Sequence, residues 1–406
     1  MSHSTIASRA ALPAGILIAC AVGSAMLAMG LRQSFGLFLA PMTEAHAWTA
    51  SGFAFAIALQ VLLNGVSQPL TGQLADRFGG RNVIMGGAVL YAIGILGMAL
   101  SDGLPLFTIF AGIVMGVAVS AAGMPTIIAS LTRMLPENMR GRAVGLGTAG
   151  SSAGQFLVVP LAGLAIQGFG WQAAMMAMAG AALLMIPLAL PLSDKPAPVA
   201  AAADSETAGA ALSRAFRDPS FWCLFFGFFV CGVHVSFLTV HLPGFVHACG
   251  LPLYVGAGAI SMIGLFNIGG SLLSGELTQR WKRRELLVGI YAARGVLMAG
   301  FMMAEKTTAS VMVFSALMGI LWLSTVPPTV ALCARNWGTR WLATIFGIVF
   351  LGHQLGGFTG AFLGGLVFDR TGSYDLMWVF GILVAAFAAL IHIPVRDGPR
   401  PVPALA

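Results

Sequence analysis

Long apolar segments alternate with short polar connections over the whole chain. Each segment has about 20 residues or more, the length that a helix needs to cross the hydrocarbon layer of a membrane. Gly and Pro lie inside the segments and no alternation of apolar and polar residues appears, so the pattern predicts spanning helices and not an outer-membrane barrel. We number the predicted segments spans 1 to 12, at residues 12–41, 49–72, 82–101, 104–131, 141–167, 171–193, 219–246, 252–275, 285–304, 308–333, 341–368 and 373–395.

The connection between spans 6 and 7 differs from the others in length and composition. Residues 194–218 are rich in Ala, Pro and charged residues and contain no apolar run that could span a membrane. Such a composition is typical of a linker. We therefore predict an all-α membrane protein with an N-terminal six-helix bundle at residues 1–193, a linker at 194–218 and a C-terminal six-helix bundle at 219–406.

The two halves also resemble each other in sequence. Residues 29–41 match residues 231–243 at Gly30/Gly232, Ser34/Ser236, Phe35/Phe237 and Pro41/Pro243, and this register places Arg32 opposite His234. Residues 72–81 and 149–156 likewise match residues 275–284 and 351–358. Repeats of this kind predict two pseudo-symmetric bundles of parallel topology, related by an axis along the membrane normal, with a binding site between them near the midplane.

Composition excludes a soluble protein. Of the 406 residues, 58% are hydrophobic and only 9% are charged, whereas about a quarter of the residues in a soluble domain are charged. The net charge of +7 does not indicate a nucleic-acid partner, because the Lys and Arg residues lie in the short connections between spans. The first apolar run has no cleavable signal pattern, so we expect it to remain as span 1.

The basic residues also predict the orientation in the membrane. Lys306 and Arg370 lie on one side, and 17 of the 21 Lys and Arg residues lie on the other. An excess of Lys and Arg marks the cytoplasmic side, which predicts a multi-pass protein of the cell inner membrane with both termini and the linker in the cytoplasm. The 17 residues are Arg9, Arg77, Arg81, Arg133, Arg140, Arg142, Lys195, Arg214, Arg217, Arg280, Lys282, Arg283, Arg284, Arg335, Arg340, Arg396 and Arg400.

The sequence contains none of the patterns that indicate an enzyme or a metal site. The five cysteines are odd in number and lack CxxC spacing, so neither a disulfide framework nor a zinc site is predicted. No phosphate-binding Gly loop, paired catalytic carboxylates or nucleophile and base arrangement is found. We expect no enzymatic activity, no metal and no cofactor.

Ionisable residues inside the spans are the candidates for function, since a charged side chain at the bilayer centre costs about 2.5–3.5 kcal/mol on insertion scales. All 14 carboxylates map to connections or span ends. The residues that remain inside are basic or titratable: Arg32, His234, His241, Arg294 and His353. Because an arginine in a low-dielectric cavity needs a counter-ion, an organic anion with a carboxylate could supply it by a bidentate contact.

We expect Arg32, His234 and His353 to contact the substrate, together with Phe35 on the face of Arg32 and its repeat equivalent Phe237. Gln354 beside His353, His241 on the face of His234, and Arg294 complete the candidate set, listed here as Arg32, Phe35, His234, Phe237, His241, Arg294, His353 and Gln354.

Each of these candidates also has a structural interpretation. Arg32 could extend to the outer interface, since Pro41 is near. The histidines could bond backbone carbonyls between helices, and Arg294, on a peripheral span, could pair with carbonyls or a neighbouring helix. Asn64 and Asn267 could fasten helices by amide hydrogen bonds.

The stretch Gly72…Asp76-Arg77…Gly79…Arg81 fits the signature loop between the second and third helices of the major facilitator superfamily, which the whole chain resembles. Residues 142–154 on span 5 resemble the monocarboxylate transporter and oxalate/formate exchanger group. The chain departs from that group at residues 267–271 on span 8, where those relatives carry an arginine and the eukaryotic carriers also an aspartate. We expect Asp76, Arg77 and Arg81 to form charge contacts at the helix ends that favour one conformation.

This resemblance implies secondary active transport of small organic anions, monocarboxylates above all, by alternating access. Transport would be coupled to protons, with His234 or His353 as the titrating group, or would exchange one anion for another. The alternatives are an exporter of amphiphilic drugs or metabolites and a non-transporting sensor of the same fold. We expect a monomer in membrane lipid, with a small organic anion and, in the coupled mode, protons as its partners.

Overall fold

The computed structural model describes residues 13–193, 207–338 and 341–398. The elements assigned within these ranges are helices joined by short turns. The predicted all-α membrane fold is confirmed. The division at residues 194–218 stays a prediction, because most of that linker lies outside the described residues; its end forms a short helix, Ala208–Phe216.

The first half begins with a helix that is interrupted in its second part. Span 1 consists of Ala14–Gln33, a 3₁₀ turn at Phe35–Phe38 and a last helix at Leu39–His46. The helices of spans 2 to 6 are Ala50–Phe78, Gly80–Ala99, then Leu104–Thr108, a π-helical turn at Ile109–Val114, Met115–Ala122 and Met124–Met134, and finally Glu137–Leu183 with Met185–Ala189.

The second half has longer uninterrupted helices. Span 7 is one helix, and only span 10 is divided into two within the described residues of this half. The helices of spans 7 to 12 are Pro219–Ala248, Leu253–Arg280, Arg283–Met303, Thr308–Leu321 with Val326–Trp337, Leu342–Thr371 and Asp375–His392.

Spans 5 and 6 follow each other without a polar connection and cross the membrane as two helices that meet at Gly170. Eleven helices among the described residues are long and apolar enough to span, and the one at Gly145–Ala189 has 45 residues. At 1.5 Å per residue it would be about 68 Å long, more than twice the hydrocarbon core of about 30 Å. Gly170 has φ 81°, which turns the chain back. The Ser130 hydroxyl donates to the Leu192 carbonyl at 3.3 Å, so span 6 ends on the side where span 4 ends.

Spans 4 and 10 are broken at equivalent positions. Span 4 breaks at Gly123 just before Pro125, and span 10 breaks at residues 322–325 just before Pro327. Because proline lacks an amide hydrogen, it is tolerated in the first turn of a helix and not in the interior. The two prolines are equivalent in the sequence repeat, so the repeat is also present in the geometry.

Repeated glycines explain how the central helices approach each other. A β-carbon on Gly154 of span 5 would overlap the carbonyl oxygen of Met26 on span 1, and one on Gly356 of span 11 would overlap that of Phe229 on span 7. Only glycine permits such a close approach of two backbones. The crossing of spans 1 and 5 is thus reproduced by the crossing of spans 7 and 11.

The two halves meet along spans 2 and 11 and along spans 5 and 8. We call the membrane side that holds residues 13 and 398 the terminal side, and the other the opposite side. Hydrogen bonds join the halves on the opposite side, at Ala50 and Asp369, and in the middle, at Val61 and Gln354. Towards the terminal side, four glycines of these spans have nothing within 4 Å of an added β-carbon: Gly72, Gly145, Gly275 and Gly347.

Candidate functional site

Arg32 lies inside the membrane region of span 1 and not at its end. The helical segments of the span continue past it to His46, so the side chain is not at the outer interface. It is half-buried, and it makes no ion pair or hydrogen bond within the part of the chain that the structure describes. The Tyr91 hydroxyl lies one helical turn away, where it donates to the Ala28 carbonyl at 2.7 Å. Within the described ranges, Arg32 is therefore a cation in the interior without a counter-ion.

The chain just after Arg32 is where span 1 touches the second half. Regular helix ends at Gln33, and the Ser34 hydroxyl donates to the Gly30 carbonyl at 2.8 Å. In the 3₁₀ turn that follows, a β-carbon on Gly36 would overlap the carbonyl oxygen of Thr239 on span 7. This contact between spans 1 and 7 places Arg32 next to the junction of the two halves.

Two glutamines next to Arg32 connect three helices. The Gln33 amide nitrogen donates to Gln155 Oε1 on span 5 at 3.2 Å, and the Gln155 amide nitrogen donates to the Ile260 carbonyl on span 8 at 3.0 Å. Both side chains are buried, with 5% and 1% exposure. Buried amides need such partners, so this chain of bonds fixes the position of span 1 beside Arg32 relative to the second half.

A second glutamine joins the two halves where span 11 packs on span 2. The Gln354 amide nitrogen on span 11 donates to the Val61 carbonyl on span 2 at 2.7 Å, and His353 Nδ1 is 3.1 Å from Gln354 Oε1. His353 is half-buried and stacks on Phe350 with ring centroids 5.6 Å apart. Gln354 therefore lies at the junction of the halves, and His353 lies beside it with its ring packed on Phe350 of the second half.

Asn267 fastens helices in the way that the structural interpretation of the sequence described. Its amide nitrogen donates to Ser152 Oγ on span 5 at 2.9 Å, and its Oδ1 accepts from the Leu323 amide at the break of span 10 at 3.1 Å. It thus joins span 8 to the other half and to the broken span beside it.

His234 and His241 are directed into the second half and not towards Arg32. His234 Nε2 is 2.9 Å from the Gly381 carbonyl of span 12, and His241 Nε2 is 2.7 Å from the Ala361 carbonyl of span 11. The two residues are 1% and 0% exposed. The structure does not bring these rings together with Arg32, and their contacts are those of histidines that link helices.

Arg294 is fully buried and binds backbone. Its Nη2 donates to the Leu321 carbonyl at 2.6 Å and also to the Trp322 carbonyl, and its guanidinium lies 5.5 Å from the Tyr291 ring centroid. These carbonyls end the first helix of span 10, where a cation interacts favourably with the helix dipole. Arg294 therefore holds the break in span 10.

Phe35 and Phe237 lie in the packed interior, with 1% and 2% exposure. Phe237 contacts Trp378 edge to face, with ring centroids 5.5 Å apart. Neither ring is brought to an open surface in this conformation, so both act as packing residues of their halves here.

Among the described residues, the signature loop makes an ion pair on the terminal side. The Asp76 carboxylate pairs with Arg133 at the end of span 4 at 3.1 Å. Arg77 lies over the Phe78 ring at 5.2 Å, and Arg81 is half-buried. The partner of Asp76 is thus a residue that the sequence prediction did not include, because the contact depends on how spans 2 and 4 pack.

On the opposite side, a carboxylate of the second half caps a helix of the first. The two carboxylate oxygens of Asp369, near the end of span 11, accept hydrogen bonds from the amides of Ala50 and Ser51 at 2.9 and 2.8 Å. These amides begin span 2, where free N–H groups and the helix dipole favour an anion. The contact bridges the two halves and closes them together on this side.

Comparison with known proteins adds the family context. A family model described as Major Facilitator Superfamily matches residues 19–361. The chain is 24% identical to an uncharacterized MFS-type transporter, YcxA of Bacillus subtilis, over 89% of this chain and 90% of that protein. It is 25% identical to human monocarboxylate transporter 11, over 90% of this chain and 79% of that protein.

Solved structures show the same fold at low sequence identity. A D-xylose-proton symporter matches with a TM-score of 0.76 and 16% identity, covering 95% of this chain and 98% of that one. A bacterial homologue of the human lysosomal transporter Spinster, in an inward-facing and occupied conformation, matches with a TM-score of 0.75 and 14% identity, covering 94% and 96%.

Proposed function

This chain belongs to the Major Facilitator Superfamily and is a membrane transporter, and we propose that it moves small organic anions, monocarboxylates in particular. Arg32 is the residue that we assign to the substrate carboxylate. The observation that carries this assignment is a half-buried arginine inside span 1 without a protein counter-ion among the described residues. Monocarboxylate transporter 11 among the relatives supports the same substrate class.

The charge balance of the interior favours an anionic substrate. The described carboxylates lie at or near the ends of spans, as Asp76 and Asp369 do. An arginine that binds a carboxylate through two parallel hydrogen bonds gains both energy and orientation. A cation or a neutral sugar would leave Arg32 unpaired, so the interior selects for negative charge.

Alternating access is the mechanism we propose for this fold. The halves, residues 1–193 and 219–406 with the linker 194–218 between them, would rock about the central site. The hydrogen bonds between the halves lie in the middle and on the opposite side, and open space lies beside Gly72 and Gly347 on the terminal side. In this conformation the substrate would reach Arg32 from the terminal side.

For coupling, we assign the proton to His353 in preference to His234. His353 is half-buried and contacts Gln354, whose amide donates to the Val61 carbonyl across the junction of the halves. His234 is engaged with the Gly381 carbonyl inside the second half. In symport His353 would carry the coupled proton; exchange of two anions would need no proton carrier.

The excess of Lys and Arg on the terminal side makes that side the cytoplasmic one in our proposal. The protein is then a multi-pass protein of the inner membrane with both termini in the cytoplasm, and it functions as a monomer. Labelling of residues on each side in intact cells tests this orientation.

Uptake into proteoliposomes tests the substrate class. Labelled lactate, pyruvate and an aromatic acid are offered to vesicles with and without a pH gradient. We expect the wild-type chain to accumulate at least one acid. Uptake of that acid by Arg32→Gln should be about 10- to 150-fold lower, because a charged hydrogen bond contributes about 1.5–3 kcal/mol. Arg280→Gln, an exposed arginine paired with Glu276 at the end of span 8, is the matched control.

Two outcomes contradict the proposal. If no anion accumulates under either condition, the substrate class is wrong. If amphiphilic compounds are moved equally well by the wild-type chain and by Arg32→Gln, the protein is an exporter whose cavity does not use the arginine.

A further inference from the structure

A second basic region lies on the terminal side of the second half, away from Arg32. Lys282, Arg283 and Arg284 begin span 9, Arg335 lies near the end of span 10, and Asp397 follows span 12. Together these five side chains line a cavity of about 330 Å³. We call this cavity the basic cavity.

A carboxylate already occupies its inner wall. Asp397 is 12% exposed and contacts Arg335 at 3.1 Å and Arg283 at 3.6 Å. It also accepts a hydrogen bond from the Arg283 amide at 2.9 Å. The amides at the beginning of a helix form an anion site, so the geometry of the inner wall is suited to an oxyanion.

The outer rim keeps a surplus of positive charge. Lys282 and Arg284 are 65% and 39% exposed, and both share one further carboxylate, Glu285, at 3.3 and 4.0 Å. Four basic side chains around the cavity therefore face two carboxylates. Proteins bind phosphate with the paired N–H donors of an arginine guanidinium and with the ammonium group of a lysine, and both are exposed next to this cavity.

The first half shows that two of these basic side chains are not required by the fold. In the sequence repeat, Gly79 and Gly80 stand where the second half has Lys282 and Arg283. Gly79 ends span 2 with φ 86° and leaves no side chain there. Lys282 and Arg283 are thus additions of the second half, whereas Arg284 has an equivalent in Arg81 of the first half.

An exposed tryptophan indicates the depth of the cavity in the membrane. Trp281, the residue before Lys282, is 60% exposed at the end of span 8. Tryptophan at the end of a spanning helix is typical of the headgroup layer. The basic cavity then opens at the level of the lipid phosphates in the leaflet on the terminal side.

We propose that the basic cavity binds the phosphate of an anionic phospholipid, held by Lys282, Arg284 and Arg335 beside Asp397. Basic pockets between spanning helices bind lipid headgroups by this chemistry. The lipid would connect the beginning of span 9 to the end of span 10, and Asp397 would be its competitor for Arg335. This site is independent of the substrate and of Arg32.

Native mass spectrometry of the purified full-length chain tests the site, with phosphatidylglycerol, phosphatidylcholine or inorganic phosphate added in detergent. We expect retention of phosphatidylglycerol and little of phosphatidylcholine. The double variant Lys282→Gln and Arg284→Gln should bind phosphatidylglycerol about 30-fold more weakly. Each basic side chain near the surface contributes about fivefold in affinity. Arg280→Gln, an exposed arginine of the same connection, leaves binding unchanged. Asp397→Asn, which removes the competing carboxylate, strengthens it.

Three results would overturn the proposal. Equal retention of the two lipids by the wild-type chain excludes recognition of the anionic headgroup. Inorganic phosphate that displaces phosphatidylglycerol at equal concentration makes the ligand a soluble anion. A loss in Arg280→Gln as large as in the double variant makes the effect one of general charge. Because the comparison of lipids uses the wild-type chain, a variant that fails to fold leaves the first two results decisive.

Discussion

The cap that Asp369 places on span 2 is the contact whose removal has the most direct structural consequence. Its carboxylate accepts bonds from the Ala50 and Ser51 amides across the junction of the halves, on the opposite side. When the halves separate on that side, both bonds must break. Asp369→Asn retains one acceptor oxygen and removes the charge, so it weakens the closed arrangement without changing the volume of the side chain.

The size of the effect follows from the two contributions that the charge makes. A helix cap is worth about 1 kcal/mol, and an anion at a helix N-terminus adds about 0.3–1 kcal/mol. Because Asp369 is exposed, and Asn preserves part of the cap, we expect a loss of about 1 kcal/mol. That corresponds to a shift of about fivefold towards the state that is open on the opposite side.

Pulsed electron resonance between two spin labels measures this population. Labels at Asp102→Cys and Ala309→Cys, both exposed on the opposite side in different halves, are introduced after replacement of the five native cysteines. The longer distance should gain population in Asp369→Asn. Asp375→Asn removes a carboxylate on the same side. The backbone amide of Asp375 donates to the Ser373 hydroxyl in its own half, so this variant should behave as the wild-type chain. Identical distance distributions for the two variants would refute the role of the cap.

Two further predictions separate structural residues from functional ones. Arg294→Gln leaves the Leu321 and Trp322 carbonyls without their charged donor, so the free energy of unfolding should fall by about 2 kcal/mol. The KM of the folded fraction for the anion should be unchanged. An altered KM with normal thermal stability would contradict this prediction. His353→Gln should flatten the pH dependence of uptake and His234→Gln should not, as measured from external pH 5.5 to 8; the reverse result would assign coupling to His234.

The course of the chain through the membrane could be predicted from the sequence because apolar length and the positions of Gly and Pro are local properties. The equivalent breaks before Pro125 and Pro327 were not predicted, although their cause is also local, since proline acts on the helix that contains it. Spans 5 and 6 are separated by the turn at Gly170. No polar connection was needed there.

The partners of the candidate residues could not be predicted in the same way. The register of the repeat placed His234 opposite Arg32, yet the His234 ring bonds the Gly381 carbonyl of span 12. Equivalent residues of the two bundles occupy the same position along the helix, but they contact different neighbours. Gln33 and Gln155 were missed for a related reason. A lone amide in an apolar span gives a weak signal until its partner, here the Ile260 carbonyl, is known.

The cap by Asp369 was beyond the sequence as well. The residue sits near the end of span 11, far along the chain from Ala50. A carboxylate at a span end is expected for solvation alone. Its role follows only from the packing of span 11 against span 2.

The central claim is that Arg32 recognises the carboxylate of the substrate, and competition by an acid and its neutral amide tests it most directly. Uptake of a labelled acid that the chain accepts is inhibited by that acid or by the corresponding amide, lactate and lactamide for example. In the wild-type chain the acid should inhibit at least about tenfold better, the smallest effect expected for a charged hydrogen bond. In Arg32→Gln the two should be equally weak. If Arg32→Gln still prefers the acid by the wild-type ratio, the carboxylate is bound elsewhere and the account is contradicted.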